Sequence, residues 1–381
     1  MLLLTGDPAW HDAVHAALAL IGHGKVTVAA SPIDALYRLV TLANGFSHLL
    51  VQPSAASGMM DDLEGMTSGE SGSPTTLILL GGTTPAMPGR NFIPTAETRA
   101  VADALAAGPG RPRTRQSPAL SAADIEVALD AGYVECRFQP IVRIADSRAV
   151  GLEALARLHH PTRGTFGPEA FIPQIEHAGL SLKLTEAVAR SAMAAVGAAF
   201  LDYHDLFLTI NMPLDVVLFP DTLLHIEGYR TATGIRPERI LVELTESRPV
   251  WDIPTLGVAV ERWRGAGYRI AIDDMGPGMV NQVELFDLPF NAVKLDKDIV
   301  LRSQVDRLAE RYLQRTVANA RSRSLSVIAE GIEDEALWVR MRDFGADQAQ
   351  GFLVSRALPA SALPIWLDAW RAHARLPRGP V

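Results

Sequence analysis

The chain has 381 residues, 48% hydrophobic and 20% charged, an ordinary globular balance with enough material for two domains. A formal net charge of −8 argues against general electrostatic affinity for nucleic-acid polymers or anionic membranes, although local cations or metal ions still permit a small anionic ligand. The single cysteine, Cys136, excludes an internal disulfide framework and a Cys-rich zinc site; within the strand-like run "GYVECRFQPIV" it reads as a buried structural thiol.

The opening "MLLLTGDPAW" lacks the basic region and apolar length of a signal peptide. Further on, "AVARSAMAAVGAAFL" is interrupted by Arg190 and Ser191 and falls short of a spanning helix, so a cytoplasmic protein is expected. Residues 1–106 alternate strand-like runs ("MLLLT", "KVTVAA", "SHLLVQ", "TTLILLGG") with helical patterns ("PAWHDAVHAALALIG", "PIDALYRLVTLA"), which predicts a parallel sheet with helices on its faces. Ser31 before Pro32 suits a helix start, and the Gly-, Ser- and acid-rich segment 54–74 reads as a loop.

In order and length these elements resemble a response-regulator receiver domain, but the receiver's chemistry is missing. Gln52 stands where the family carries its phosphate-accepting aspartate, and an amide cannot form an acyl phosphate. Gly81 and Gly82 replace the expected hydroxyl residue, no lysine follows "NFIP", and Asp7 alone remains of the acidic pair. The resemblance implies a degenerate receiver-like domain kept for docking a signalling partner or for dimerisation.

Residues 107–120, rich in Pro, Gly, Arg and Ser without apolar periodicity, read as a linker. The second part, 121–373, repeats one pattern before a short tail at 374–381: an apolar run ends in a polar residue and a helical stretch follows. These polar positions are Glu153, Asn211, Glu243 with Glu246, Asp273 with Asp274, Lys294, Glu330 and Gln350. From Asn211 onward the spacings are 32, 30, 21, 36 and 20 residues, each the size of one strand–helix unit. A barrel of eight parallel strands needs about 250 residues and gathers all strand carboxyl ends at one face, so these side chains would converge.

Taken singly, each residue has a plainer explanation. Adjacent aspartates are more often a solvated turn or a cap, Lys294 reads as a surface lysine, and Asn211 before Met212-Pro213 suits a helix cap. His159 and His160 look like a metal pair, but adjacent residues seldom share an ion, so a loop role is expected. Taken together, the acids form an all-oxygen set with much negative charge, which calls for hard cations such as Mg²⁺ or Mn²⁺. Two such ions with Lys294 among the acids suit phosphoryl chemistry.

The segments "RFQPIV", "LEALAR", "HPTRGTFGPEAFIPQIEHAGL", "INMPL", "VELTES", "IDDMG", "VKLD", "IAEGIE" and "QGFLVSRAL" fall in the order and spacing of the EAL domain, a TIM-like (β/α)8 phosphodiesterase that linearises cyclic di-GMP. The resemblance implies an α/β chain: a receiver-like parallel-sheet domain followed by this barrel. It implies that Glu153, Asn211, Glu243, Asp273 and Asp274 bind two divalent ions and that Lys294 holds the catalytic water. Glu330 would complete the metal shell, Gln350 would support Glu330 and substrate, and Glu246 would tether the loop after the aspartates. Gln139 and Arg157 would contact the guanine and phosphate ends of cyclic di-GMP, and a homodimer is implied.

The sequence departs from the family in that loop. Met275, Gly276, Pro277, Gly278, Met279, Val280 and Asn281 keep the glycines but lack the family's aromatic anchors and serines, and Ala357 stands near a common proline. An active hydrolase is the favoured reading, because no ligand type is lost; a weak or inactive cyclic di-GMP receptor or interaction module is the alternative.

Overall fold

The computed structural model describes all residues except 22–24, 30–34, 36–45, 56–75, 82–90, 94–95, 107–119, 161–163, 246–251, 277–281 and 374–381. Two compact units emerge, one of Met1–Pro118 with Ser361–Ala372 and one built on Ala119–Ala360. The helix Leu363–His373, expected with the barrel part, thus groups almost entirely with the first unit.

The first unit contains β1 (Leu2–Leu4), β2 (Thr27–Val28), β3 (His48–Val51), β4 (Thr76–Leu80) and β5 (Asn91–Ile93), all pairing in parallel. Their order, β2-β1-β3-β4-β5, is that of the flavodoxin-like doubly wound sheet. Helices Pro8–Ile21 and Thr98–Ala106 bury Val14 and Val101 against Leu3, Leu50 and Ile78 of the strands. Of the helix expected over 32–43 only Ala35 is described, and most of the segment 54–74 lies outside the described residues.

The second unit is a closed eight-stranded barrel. Its strands are β6 (Val134–Arg143), β7 (Ala149–His160), β9 (Phe207–Pro213), β10 (Ile240–Thr245), β11 (Arg269–Met275), β12 (Ala292–Leu295), β13 (Ser326–Ala329) and β14 (Gln348–Ala349). Neighbours run β7-β9-β10-β11-β12-β13-β14-β6, and β6 closes the ring on β7. The expectation of eight parallel strands is corrected at one place: β6 is antiparallel to both its neighbours. The cause is local, because the connection between β6 and β7 is only residues 144–148, and a parallel crossover needs about a dozen. A short β8 (Gly164–Phe166) extends β7 as a hairpin and lies outside the ring. His159 and His160 therefore sit on a strand, not in a loop.

Several helices start on the cap their sequence supplies. Ser121 and Asp124 form a reciprocal capping box, and Asp252, Asp296 and Asp334 accept from the backbone N–H groups of Thr255, Ile299 and Leu337. The helix Ser181–His204 is, by length and composition, apolar enough to cross a membrane, contrary to the expectation; half of that window is buried, the pattern of a core helix. Gly197, at φ 62° and ψ 169°, breaks its helical geometry.

Side-chain alternation explains how the barrel is both plugged and functional. Leu241, Ala271, Ala292 and Ile328 pack with Phe207 and Ile141 in one buried cluster. Two residues further along the same faces stand Glu243, Asp273, Lys294 and Glu330. Gly151 belongs to the plug by having no side chain, since a Cβ there would lie 2.5 Å from the Phe207 ring.

Candidate active site

Adjacent strand residues normally point to opposite faces, so an Asp-Asp pair should not serve one cavity. Here β11 carries a bulge. Ile272 pairs with Val293 and Met275 with Leu295, so three steps on β11 match two on β12. Asp274 takes the extra position with φ +51°, a left-handed conformation that Asp tolerates better than most residues. Its N–H donates to Asp273 Oδ1 at 2.9 Å, and both carboxylates come to line one cavity.

That cavity, about 410 Å³, is lined by Gln139, Glu153, Asn211, Lys294, Glu330 and Gln350 as well as the two aspartates. At its base Lys294 is 1% exposed. Its Nζ lies 2.6 Å from Glu330, 2.9 Å from Glu243, 3.2 Å from Asp273 and 3.4 Å from Glu153. Lys294 is thus no surface lysine. Asn211 caps no helix either: its Nδ2 donates to Glu153 Oε1 at 2.9 Å. Gln350 Nε2 donates to Glu153 Oε2 at 2.5 Å and to Gln139 Oε1 at 2.9 Å, and Gln139 is held in turn by Ser355 O at 2.9 Å. Gln139 reaches this network from the antiparallel strand because it pairs directly with Glu153.

One ammonium cannot neutralise this many acids. Burial pushes Glu330 up to about 8 and Asp274 up to about 6. Asp273 is raised by burial too, and Glu243 is driven well above the carboxylate range by burial, with repulsion from Glu153 and Asp273. Glu153 goes the other way: burial alone would raise it, but Lys294 and hydrogen bonds from Asn211 and Gln350 hold it down. Lys294 is likewise opposed by burial, yet its surrounding carboxylates hold its proton well above the ordinary lysine range.

The donor set fits a divalent cation. Among the described residues, Asn211 Oδ1, Glu243 Oε1 and Gln350 Oε1 are buried acceptors without a hydrogen-bond partner, a costly condition unless something binds them. Asp273, Asp274 and Glu330 each bring one carboxylate oxygen within 4.8 Å of the others, a spacing that could hold an ion.

The sequence matches the family model described as the EAL domain over residues 122–357. The chain belongs to the EAL domain family. Among its relatives, Cyclic di-GMP phosphodiesterase NbdA of Pseudomonas aeruginosa is 29% identical over 255 residues, which are 67% of this chain and 33% of that protein. Probable cyclic di-GMP phosphodiesterase PdeB of Escherichia coli K12 is 30% identical over 251 residues, 64% of this chain and 46% of that protein. The chain therefore spans less than half the length of these two curated relatives. The solved structure of the PaMucR phosphodiesterase in its c-di-GMP complex superposes with a TM-score of 0.59 at 28% identity, covering 63% of this chain and 98% of that one.

In this EAL domain the structure brings together Gln139, Glu153, Asn211, Glu243, Asp273, Asp274, Lys294, Glu330 and Gln350. Arg157 is not among the lining residues. It stands on β7 four residues beyond Glu153 and on the same face, paired in register with Glu135. Glu246 lies outside the described residues, as do 277–281 of the departing loop. The sequence reading missed Lys297, Glu333 and Phe352, which also line the cavity. Their signal was proximity to "VKLD", "IAEGIE" and "QGF", since a turn that delivers one side chain to the mouth delivers its neighbours to the rim. His159 bonds Glu135 at 2.5 Å and Thr165 at 2.9 Å, which accounts for it without a metal.

Proposed function

We propose that the barrel hydrolyses cyclic di-GMP to linear pGpG with two resident divalent ions, Mg²⁺ or Mn²⁺. The carrying observation is the buried Lys294 ammonium ringed by four carboxylates beside unpartnered acceptors, in a member of the EAL family. Glu153, Asn211, Glu243, Asp273, Asp274 and Glu330 would hold the ions, an all-oxygen set suited to hard cations. When bound, such ions supply Lewis-acid activation and offset charge on the entering and leaving oxygens.

The chain's own residues do the rest. Lys294, kept protonated by its acids, donates to the incoming water oxygen and fixes its position. Gln350 clamps Glu153 to Gln139, so the wall that meets substrate cannot swing away from the acids. Gln139 receives the guanine end and Arg157 a phosphate, for which a guanidinium fork is suited. For Glu246, which lies outside the described residues, the family resemblance implies the tethering of the loop after the aspartates. As the water oxygen bonds to phosphorus, the phosphorus–O3′ bond breaks, the 3′-oxygen takes a proton, and the 5′-phosphate stays on the linear product.

Chromatography of cyclic di-GMP incubated with the purified chain and Mg²⁺ or Mn²⁺ tests this directly, with Glu153→Ala as control. Linear product from the wild type alone supports hydrolysis. Intact nucleotide that nevertheless binds saturably would make the barrel a receptor instead. The working form is a cytoplasmic homodimer whose amino-terminal unit docks a signalling partner and sets dimer geometry. Removing residues 1–110 should then change activity or oligomeric state, and no change in either would remove that part.

A further inference from the structure

The turns after β13 and β14 interlock at the rim of the acid cavity. Ile332 N–H donates to Gln350 O at 3.0 Å, and Leu353 N–H donates to Ile332 O at 2.9 Å. Glycines make the close approach possible. A Cβ on Gly351 would lie 2.2 Å from Ile332 N, and one on Gly331 (φ +66°) would lie 2.5 Å from Lys297 Cγ. The interlock sets Phe352 and Lys297 into the same lining as Asp273, Asp274 and Glu330. Arg356 Cζ lies 4.5 Å from the Phe352 ring centroid and Lys297 Nζ 5.2 Å from it. Lys297 is also paired with Glu333 at 3.0 Å. Arg356 makes no ion pair within 4 Å among the described residues; partial burial lowers its pKa, and the Glu333 carboxylate, acting from farther off, opposes that.

The charge pattern of the cavity gives this rim a task. Five lining carboxylates face two ammonium groups, Lys294 and Lys297. A cyclic dinucleotide carries two phosphates, and only the one being cut can sit among the acids and their ions. The other must meet a cation or leave its charge facing carboxylates. Lys294 is sealed at the base and Lys297 is shared with Glu333. Arg157 takes one phosphate in the hydrolase reading; Arg356, which is not itself in the lining but packs on the Phe352 ring that is, offers the other a second planar fork that matches phosphate oxygens.

We propose that Arg356, with Lys297 beside it on the Phe352 ring, binds the phosphate that is not cut in a cyclic dinucleotide; this rests on the hydrolase reading above. Full-length wild type, Arg356→Ala, Arg356→Lys and Lys297→Ala are compared by steady-state turnover of cyclic di-GMP with Mg²⁺, each checked by thermal melting. Loss of a charge-assisted contact should raise KM about ten- to a hundredfold in Arg356→Ala. The same variant should keep kcat within about twofold, because the contact is equal in ground and transition states. Arg356→Lys should recover part of the loss, and Lys297→Ala should show a smaller rise in KM. A KM within about twofold of wild type, or a fall in kcat alone, would overturn the proposal. Should the wild type cut nothing, calorimetric titration with cyclic di-GMP in Ca²⁺ reads the same variants. Weaker binding by Arg356→Ala then supports the subsite although hydrolysis has failed, and equal binding removes it. A wild type that neither cuts nor binds removes both readings.

Discussion

In the amino-terminal unit Gln52 directly follows β3 and its Oε1 accepts from the Thr5 hydroxyl at 2.7 Å, and Asp7 accepts from Ala9 N–H at 2.9 Å. In the barrel, strands of the same parallel kind carry Glu243, Asp273 and Lys294 toward their ends, and among the described residues acceptors on Asn211 and Glu243 are left buried without partners. In both kinds of parallel sheet the strand carboxyl ends are the side on which ligands bind. In the first, polar groups at the strand ends are engaged in local structure. In the second they engage one another around Lys294, and acceptors on Asn211, Glu243 and Gln350 are left over among the described residues. The crevice comes from the fold, and the chemistry comes from polar groups that the fold leaves unsatisfied.

The sharpest way to break the contrast is to remove the cation that binds the barrel's acids together. Lys294→Ala should lower turnover of cyclic di-GMP by about 10²- to 10³-fold, with affinity for the nucleotide little changed. Metal-free protein should also lose about 3–5 kcal/mol, because the buried carboxylates then face one another without an ammonium. Urea unfolding in EDTA measures the second effect, and adding Mg²⁺ should restore much of the loss. Normal hydrolysis by this variant would remove the water-positioning role.

Why part of this site was legible in sequence, and part not, follows from where the information resides. Glu153, Asn211, Glu243, Lys294 and Glu330 share one property that sequence displays: each follows an apolar run that must be a strand. Their convergence then needs only barrel closure. The Asp273–Asp274 pair is different, because its use in one cavity depends on a bulge and a left-handed Asp274, which no propensity announces. The direction of β6 was recoverable, since residues 144–148 are too few for a crossover. Lys297 opens the helix after β12, and Phe352 and Arg356 lie in the irregular chain after β14, where the alternation that exposes strand residues to inference does not operate.

Metal and pH sharpen the contrast at the next level of effect. An acid raised by burial keeps its proton in the folded state after the unfolded chain has lost it. Between the unfolded and folded values the folded state binds more protons, so stability falls as pH rises. That window closes at about 6 for Asp274 and about 8 for Glu330. Metal-free protein should therefore be destabilised progressively from roughly pH 4 to pH 8. Divalent ions take the place of those protons, so the melting-temperature gain from Mg²⁺ should be larger near pH 8.5 than near pH 5.5. At a hundred times Kd the gain corresponds to about 2.7 kcal/mol. Equal gains at both pH values would mean that the raised acids do not hold the ion.

A smaller effect is expected from the turn that fixes Gln350. Gly351→Ala places a methyl 2.2 Å from Ile332 N, and the neighbour is backbone that cannot turn aside. Destabilisation of about 1–3 kcal/mol should appear in urea unfolding, with a loss of turnover as Gln350 shifts from Glu153. Cys136 offers a contrast within the same barrel. Burial raises its thiol to about 12, so iodoacetamide at mildly alkaline pH should label it only on unfolding.

The smallest expected effect comes from placing an acid after β3, where the receiver resemblance would have one. Gln52→Asp supplies a carboxylate at the end of β3, where Thr5 can still donate to it, so stability should change by less than about 1 kcal/mol. Yet one acid does not make a phosphoryl-transfer site. Asp7 is engaged with Ala9 N–H, Gly81 offers no hydroxyl, and no lysine follows β5 to neutralise the charge of a phosphoryl group. Incubation with acetyl phosphate and Mg²⁺, followed by intact-mass measurement, should give no phosphoryl adduct in either wild type or variant. An adduct on the variant alone would mean that the first unit retains a working pocket lacking one residue. The two sets of strand ends would then differ in a single side chain rather than in the surroundings that determine whether a carboxylate is free to react.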